Sequence, residues 1–152
     1  MVSGMSEMVW TISPHNDTIE NLTDRLQVYA AAILSAKNIL FKLEYDDELK
    51  QKKLSMAMRK NIYLIFKEAI NNVAKYSYAT EVKLSVRKKE NRFVALLSDN
   101  GKGFDISAQK SKNNEGGNGL KNMQKRADEI QSHLRIISKE STGTSIELSF
   151  NV

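Results

Sequence analysis

The sequence of 152 residues contains no cysteine, only two histidines and a single proline. Without cysteine the chain has neither a disulfide framework nor a cysteine-based zinc site, and two distant histidines argue against a histidine-rich metal site. The lack of cysteine also suits a reducing cytoplasm. No apolar run is long enough to span a bilayer, and the first ten residues lack the basic and apolar regions of a signal peptide. These absences favour a cytoplasmic domain and leave open whether its parent protein is membrane-anchored.

The excess of positive charge is small and dispersed. Lysine and arginine number 23 against 18 aspartate and glutamate residues, for a net charge of +5. Aromatic side chains do not alternate with the basic runs as they do in proteins that bind single-stranded nucleic acid, so we expect no nucleic-acid partner. A polyphosphate ligand would exploit the same surplus. With 41% hydrophobic residues, a chain of this length fits one domain with one core.

Hydrophobic periodicity predicts three helices and five strands in the order helix, strand, helix, hairpin, loop, helix, hairpin. The predicted ranges are 19–36, 39–45, 55–76, 81–88 with 93–98, a mobile loop over 101–117, then 119–130, and 134–138 with 145–150. Asn16 and Asp17 are the expected N-cap residues of the first helix. Strands gathered into hairpins, with three helices to cover one face, predict a two-layer α/β sandwich of the α+β class.

The second helix carries polar residues along one stripe. Glu68, Asn72 and Lys75 follow one another at spacings of four and three, so an anion, an amide and a cation share one helix face. The apolar residues of the same helix mark the side that faces a core. Taken alone, such a stripe is usually a solvated face with an i, i+4 contact.

Two glycine-rich segments lie further along the chain, each where a strand or loop meets another element. Residues 99–103 read DNGKG and residues 116–120 read GGNGL. Glycine permits positive φ and a close approach of the backbone to a ligand, and the free N–H groups at the start of a helix attract anions. Alone, DNGKG is common turn chemistry and GGNGL could be a flexible hinge. The polar stripe and the two glycine-rich segments, in this order along the chain, form one set of motifs.

These segments resemble the GHKL ATPases, and among them the catalytic ATP-binding domain of sensor histidine kinases. Residues 68–76, EAINNVAKY, are similar to the N box of that family, residues 99–103 to its first glycine box, and residues 117–120 to its second. Gly143-Thr144 is similar to the Gly-Thr that opens its last strand. The resemblance covers about residues 16–152. It implies the Bergerat fold, in which a mixed, mostly antiparallel sheet is covered on one face by about three helices.

The resemblance implies that the N box binds Mg²⁺ and the phosphates of ATP. Asn72 would offer its carbonyl oxygen to Mg²⁺, which takes few protein ligands and completes its octahedron with phosphate oxygens and water. Glu68 would orient a metal-bound water or accept a proton from the attacking nucleophile. Lys75 would balance phosphate charge, and Tyr76 matches one form of the residue that follows it in the family.

The glycine boxes would hold the rest of the nucleotide. Asp99 would accept a hydrogen bond from the exocyclic amine of adenine and discriminate against guanine, which presents a carbonyl there. The phosphates would lie at the second box, where a helix begins. The other residues implied in nucleotide binding are Gly101, Gly103, Gly117, Gly119, Leu120 and Thr144.

The expected phosphoacceptor histidine is not found. A histidine kinase transfers the γ-phosphoryl group to a histidine on a dimerisation hairpin, and neither His15 nor His133 fits that place. We therefore interpret residues 1–15 as a tag remnant with the end of the hairpin helix and a linker, and residues 16–152 as the catalytic domain. The implied partners are the nucleotide, the upstream acceptor domain and a response regulator. We expect the full-length protein to be a homodimer and the fragment to be monomeric.

Two other functions fit the same residues. A serine kinase of the anti-sigma-factor type would share the fold and phosphorylate a separate protein. A regulatory module would hold ATP or ADP without turnover, although the intact Glu68 and Asn72 disfavour it.

The chain also departs from the family pattern at residues 130–133, where many relatives have a Gly-Gly turn, and in the absence of a Phe-rich box from the loop.

Overall fold

The computed structural model describes residues 17–101, 115–139 and 143–151. These residues form the predicted elements in the predicted order. The helices are α1 (Ile19–Leu34), α2 (Met56–Asn72) and α3 (Glu115–Glu129), and the strands are β1 (Leu40–Tyr45), β2 (Glu81–Lys89), β3 (Arg92–Asp99), β4 (His133–Lys139) and β5 (Gly143–Phe150). The predicted linker over residues 1–15, most of the predicted loop and Gly103 lie outside the described residues. No helix in the described ranges is long and apolar enough to cross a membrane.

α1 is capped by a different residue from the predicted ones. The Thr18 side chain accepts a hydrogen bond from the backbone N–H of Asn21 at 3.2 Å, so the prediction of Asn16 or Asp17 is wrong. Thr18 also forms an isolated antiparallel bridge with Lys53. This bridge holds the chain in an extended conformation at Thr18, which is the conformation that an N-cap requires. The helix then buries the apolar face that its periodicity predicts.

α2 begins where the sequence predicts and supplies the centre of the core. The Ser55 hydroxyl caps the helix by accepting a hydrogen bond from the backbone N–H of Met58 at 3.2 Å. The apolar residues of the helix face the sheet and the other helices. Its buried apolar residues are Ile62, Tyr63, Ile65, Phe66, Ala69 and Ile70.

The C-terminal end of α2 differs from the prediction of an α-helix to residue 76. The α-helix ends at Asn72, and Val73–Ser77 form a π-helical turn that Tyr78 closes in a left-handed conformation with φ 56°. A π turn contains more residues than an α turn and changes the spacing of side chains. Lys75 therefore does not continue the α-helical stripe of Glu68 and Asn72, and the predicted continuous stripe of three residues is wrong.

α3 begins four residues before the predicted start. The helix includes Gly116, Gly117 and Gly119, which the sequence analysis placed before the helix or at its first residue. A glycine inside a helix costs about 1 kcal/mol relative to alanine, and this cost is the reason for the late predicted start. Packing of α3 against α2 overrides that local preference.

The five strands form one mixed sheet in the order β1-β2-β3-β5-β4. β1 and β2 are parallel, and the other three pairs are antiparallel. The parallel pair arises because α2 provides the crossover connection between β1 and β2, whereas β2–β3 and β4–β5 are hairpins. The predicted α+β sandwich with a mixed, mostly antiparallel sheet is confirmed.

The two faces of the sheet differ in character. Alternate residues of β2, β3 and β5 point into a core that the three helices cover. On the opposite face Arg87 contacts Glu44 and Asp46 at 3.0 Å each, and Lys83 contacts Glu44 at 3.0 Å. These ion pairs join β1 to β2, and the hydrogen bond from Lys83 lowers the pKa of the Glu44 carboxyl.

Candidate active site

Asp99 lies at the end of β3, on the core face of the sheet. Its partner in β2 is Val82, which is fully buried, and opposed residues of antiparallel strands point to the same face. Continued by one residue, the β3–β5 register places Thr144 opposite Asp99 on the other side. Ser138 of β4 is in turn opposite Thr144. A row of polar side chains therefore ends the apolar face of the sheet.

Two backbone N–H groups hold the Asp99 carboxylate. The N–H of Gly101 donates to Oδ1 at 2.7 Å, and the N–H of Thr144 also donates to the carboxylate. The side chain is half-buried. Burial raises the pKa of Asp99, and these two hydrogen bonds oppose that rise. An ionised carboxylate has more lone pairs than two donors use, so Asp99 can accept a further hydrogen bond from a ligand amine.

Gly143 packs directly against the backbone of Asp99. Its φ of +87° lies in the region that favours glycine, and a Cβ atom at this position would collide with the Asp99 carbonyl oxygen. Both residues of the predicted Gly143-Thr144 pair therefore contact Asp99. Gly143 allows β5 to approach the end of β3, and Thr144 donates its N–H to the carboxylate.

Asn100 helps to form this end of the site, and the sequence analysis missed it. Its Oδ1 accepts hydrogen bonds from the N–H groups of Thr80 at 2.9 Å and Glu81 at 3.0 Å, and its Nδ2 donates to Thr80 Oγ1 at 2.9 Å. These bonds tie the end of β3 to the segment between α2 and β2. An Asp-Asn pair at a strand end signals turn chemistry, but it does not indicate which side chain faces the core.

Glu68 lies where α2 packs against the beginning of α3. A Cβ atom on Gly119 would be 3.1 Å from Oε1 of Glu68, which is closer than an ordinary van der Waals contact. Gly119 thus makes room for the glutamate. Glu68 also lines a groove of about 190 Å³ between the two helices, together with Lys67, Asn71 and Arg126. The carboxylate is half-buried and open to a group that enters this groove.

Asn72 is the last residue of α2, one turn after Glu68, and it is half-buried. None of the residues in the described ranges forms a hydrogen bond with its side-chain amide. Its carbonyl oxygen therefore has no hydrogen-bond donor among the residues that the structure describes. An amide oxygen suits Mg²⁺, which fills its other positions with phosphate oxygens and water. The chemistry of its side chain suits a magnesium ligand, and the role of Asn72 stays a prediction.

The other predicted site residues have different surroundings. Lys75 is exposed in the π turn that also contains Tyr76. Gly117 lies in the first turn of α3, where backbone N–H groups without intrahelical partners favour an anion. Leu120 is 6% exposed and belongs to the hydrophobic core, so its packing role is established and its contact with a nucleotide stays a prediction.

The residues around Asp99 and those around Glu68 lie at the same end of the domain. The chain leaves α2 through residues 78–80 and enters β2 beside the end of β3. Asn100 ties that connection to β3. This end of the domain therefore carries the Asp99 carboxylate on the sheet and the end of α2, with Asn72, on the helix layer.

Comparison with known proteins identifies a family match over most of the domain. Residues 58–152 match the model of the histidine kinase-, DNA gyrase B-, and HSP90-like ATPases. The chain is 33% identical over 101 residues to the sensor protein VraS of Staphylococcus aureus, which covers 66% of this chain and 28% of VraS. It is 31% identical over 91 residues to the signal transduction histidine-protein kinase/phosphatase DegS of Brevibacillus brevis, which covers 60% of this chain and 22% of DegS. The chain spans less than a third of the length of these curated relatives.

Solved structures share the fold at low sequence identity. The catalytic domain of the histidine kinase ThkA is similar with a TM-score of 0.71 at 15% identity, over 88% of this chain and 93% of that domain. The histidine kinase domain of the blue-light activated histidine kinase EL346 from Erythrobacter litoralis gives a TM-score of 0.68 at 16% identity, over 89% of this chain and 64% of the other. Both share the sandwich of helices on a mixed sheet.

Proposed function

Because this chain belongs to the family of histidine kinase-, DNA gyrase B- and HSP90-like ATPases and is an ATP-binding domain of the histidine kinase type, we propose that it binds Mg²⁺ and ATP and transfers the γ-phosphoryl group to a histidine of an upstream dimerisation domain. The observation that carries this proposal is the Asp99 carboxylate, held by two backbone N–H groups at the end of the sheet.

Asp99 would select adenine. Its ionised carboxylate accepts a hydrogen bond from the exocyclic amine, whereas guanine has a carbonyl oxygen at that position and would face an acceptor with an acceptor. The N–H groups of Gly101 and Thr144 orient the carboxylate and favour its ionised form. Gly143 supports this arrangement because its missing side chain lets β5 reach Asp99.

The phosphates would lie between the end of α2 and the beginning of α3. The first backbone N–H groups of α3, near Gly117, offer hydrogen bonds and the positive end of the helix dipole. The side-chain oxygen of Asn72 would hold Mg²⁺, and exposed Lys75 would add positive charge. When bound, Mg²⁺ neutralises phosphate charge and aligns the group to be transferred.

Glu68 would serve the transfer step from the groove between α2 and α3. The bond between the γ-phosphorus and the oxygen of ADP breaks as a bond to the imidazole nitrogen of the acceptor histidine forms. The imidazole then loses a proton, which the half-buried Glu68 carboxylate is placed to accept or to direct to water. The remaining partners in this proposal are a response regulator, which receives the phosphoryl group, and a second copy of the full-length chain. The domain would work in the cytoplasm.

Calorimetric titration with ATP and Mg²⁺ tests the nucleotide site. The wild-type chain should bind, Asp99→Asn should bind at least about tenfold more weakly because one donor replaces an acceptor, and Asn72→Ala should lose the increase in affinity that Mg²⁺ provides. Asp128→Asn on the exposed face of α3 and Asn91→Ala in the β2–β3 turn are matched controls. Absence of binding by the wild type would refute the proposal.

Two alternative functions keep the same nucleotide site and differ in the fate of the phosphoryl group. The full-length protein should be incubated with labelled ATP and the product treated with acid, because phosphohistidine is acid-labile and phosphoserine is acid-stable. Acid-labile label on the full-length chain supports the histidine kinase. Stable label on a serine of a second protein supports the anti-sigma-factor type, and nucleotide binding without transfer supports a regulatory module.

A further inference from the structure

Ser138 is a polar residue beside the candidate adenine site that the proposed mechanism does not use. It is half-buried on β4 and lies opposite Thr144 of β5. The two hydroxyl oxygens are 2.8 Å apart, and either can be the donor. Thr144 is only 8% exposed, and its N–H donates to Asp99. A hydrogen-bonded row thus leads across three strands from Asp99 through Thr144 to Ser138.

The direction of the bond between the two hydroxyl groups determines what Thr144 presents to a ligand. A hydroxyl group has one proton and two lone pairs, and it rotates to suit its partner. If Ser138 donates to Thr144 Oγ1, the proton of Thr144 is free to be donated elsewhere. If Thr144 donates to Ser138, only lone pairs are left for a ligand.

Adenine and guanine require opposite arrangements of donors and acceptors. Adenine presents an amine donor next to a ring nitrogen that accepts, whereas guanine presents a carbonyl acceptor next to a ring N–H that donates. A site that selects adenine therefore needs an acceptor beside a donor. Asp99 is the acceptor, and Thr144, its neighbour in the row, is the nearest side chain in that row with a proton to donate.

We propose that Ser138 is a specificity-determining positioning residue, which donates to Thr144 Oγ1 and thereby turns the Thr144 proton toward the acceptor nitrogen of the purine, directly or through a water. This inference rests on the proposed ATP site. Ser138 itself does not touch the nucleotide in this arrangement. Its effect passes through Thr144, and it should act on the preference for ATP over GTP more than on the stability of the fold.

The test compares Ser138→Thr with Ser138→Val, since threonine and valine have nearly the same shape and differ by the hydroxyl group. Dissociation constants for Mg²⁺·ATP and Mg²⁺·GTP should be measured for each variant and for the wild type. Ser138→Thr should retain the wild-type ATP preference. Ser138→Val should reduce the ratio of ATP to GTP affinity about fivefold, the value of one neutral hydrogen bond. Ser145→Ala, on the opposite face of β5, should change neither affinity.

The outcomes separate this inference from the proposed function. An unchanged ATP preference in Ser138→Val, measured while Asp99→Asn weakens ATP binding as expected, overturns the role of Ser138 and leaves the ATP site in place. Failure of the wild type to bind ATP overturns both. If Ser138→Val does not fold, as judged by its thermal unfolding, Ser138→Ala takes its place, with the same fall in ATP preference expected and the same unchanged preference overturning the inference.

Discussion

The Oε1 atom of Glu68 lies 3.1 Å from the point that a Cβ atom on Gly119 would occupy. The substitution Gly119→Ala should therefore displace the Glu68 carboxylate. The displaced atom is the end of a flexible side chain, and alanine favours a helix by about 1 kcal/mol over glycine, so the variant should fold at least as stably as the wild type. We expect slower phosphoryl transfer in the full-length protein with little change in ATP affinity.

The measurements for Gly119→Ala are the thermal unfolding midpoint, the ATP dissociation constant and the autophosphorylation rate. Lys121→Ala provides the control, because Lys121 is exposed on the same helix and its replacement leaves Glu68 in place. Transfer at the wild-type rate in Gly119→Ala would show that the position of the Glu68 carboxylate does not limit the reaction.

Gly143→Ala should destabilise the domain, in contrast to Gly119→Ala. The new Cβ atom would meet the backbone carbonyl of Asp99 at a φ of +87°, and backbone atoms cannot move aside as a side chain can. Strain in this region of φ alone costs about 1–2 kcal/mol, and the collision adds to it. The unfolding free energy measured in urea should fall by about 2 kcal/mol or more, and ATP binding should weaken.

The control for this variant is Ser145→Ala, two residues along the same strand, which should unfold near the wild-type urea midpoint. A Gly143→Ala variant that unfolds at the wild-type midpoint and binds ATP with wild-type affinity would contradict the close approach of β5 to Asp99.

Asn100→Ala should lower stability through the connection between α2 and β2. The substitution removes two acceptor contacts and one donor contact with Thr80 and Glu81. Because these groups are exposed and water replaces part of the loss, we expect a fall of about 1–2 kcal/mol in the unfolding free energy. Asn100→Asp keeps both acceptor contacts and loses only the donor, so its unfolding free energy, measured in urea, should fall by less. Equal stability of the wild type and Asn100→Ala would show that these hydrogen bonds do not stabilise the domain.

The pKa of Asp99 should lie above the ordinary value of an aspartate, and the pKa of Glu44 should lie below the ordinary value of a glutamate. Burial raises the pKa of Asp99, and the hydrogen bond from Lys83 lowers the pKa of Glu44. Ionised Asp99 therefore reduces stability at high pH, and this cost disappears as the pH falls through its folded-state pKa. Glu44 contributes stability above its unfolded-state pKa and loses it as the pH falls through its folded-state pKa.

Carbon resonances of the two carboxyl groups, followed by NMR against pH, give both midpoints in one sample. Saturating nucleotide should lower the pKa of Asp99, because a hydrogen bond from the adenine amine favours the ionised form. High salt should raise the pKa of Glu44 toward its ordinary value and have little effect on Asp99, since salt screens exposed charges and not burial. A pKa of Asp99 at or below that of an ordinary aspartate would contradict the effect of burial.

The order and approximate bounds of the elements were predictable because they depend on local periodicity. β2 and β3 alternate charged and apolar residues, and the observed hairpin agrees with that pattern within a few residues. The errors fall where tertiary contacts outweigh local preference. Thr18 caps α1 because its bridge to Lys53 fixes its conformation, and α3 includes its glycines because the helix packs against α2.

The candidate site residues Asp99, Glu68 and Asn72 could be proposed from the sequence because they belong to short segments that resemble the motifs of one family, and their roles stay predictions. The contacts and orientations of these side chains could not be predicted from the sequence. Asp99 and Asn100 are adjacent in sequence. Which of the two side chains faces the core depends on which side of β3 faces the helices. The contact between Ser138 and Thr144 depends on the register of β4 with β5.

Local sequence alone was sufficient to predict the order of the elements and the fold class, because hydrophobic period, glycine content and side-chain type act over a few residues. The folded domain was needed for the geometry of the candidate site. Packing between distant segments determined that Gly143 meets Asp99 and that Gly119 meets Glu68, since each contact depends on atoms that only the tertiary fold brings together.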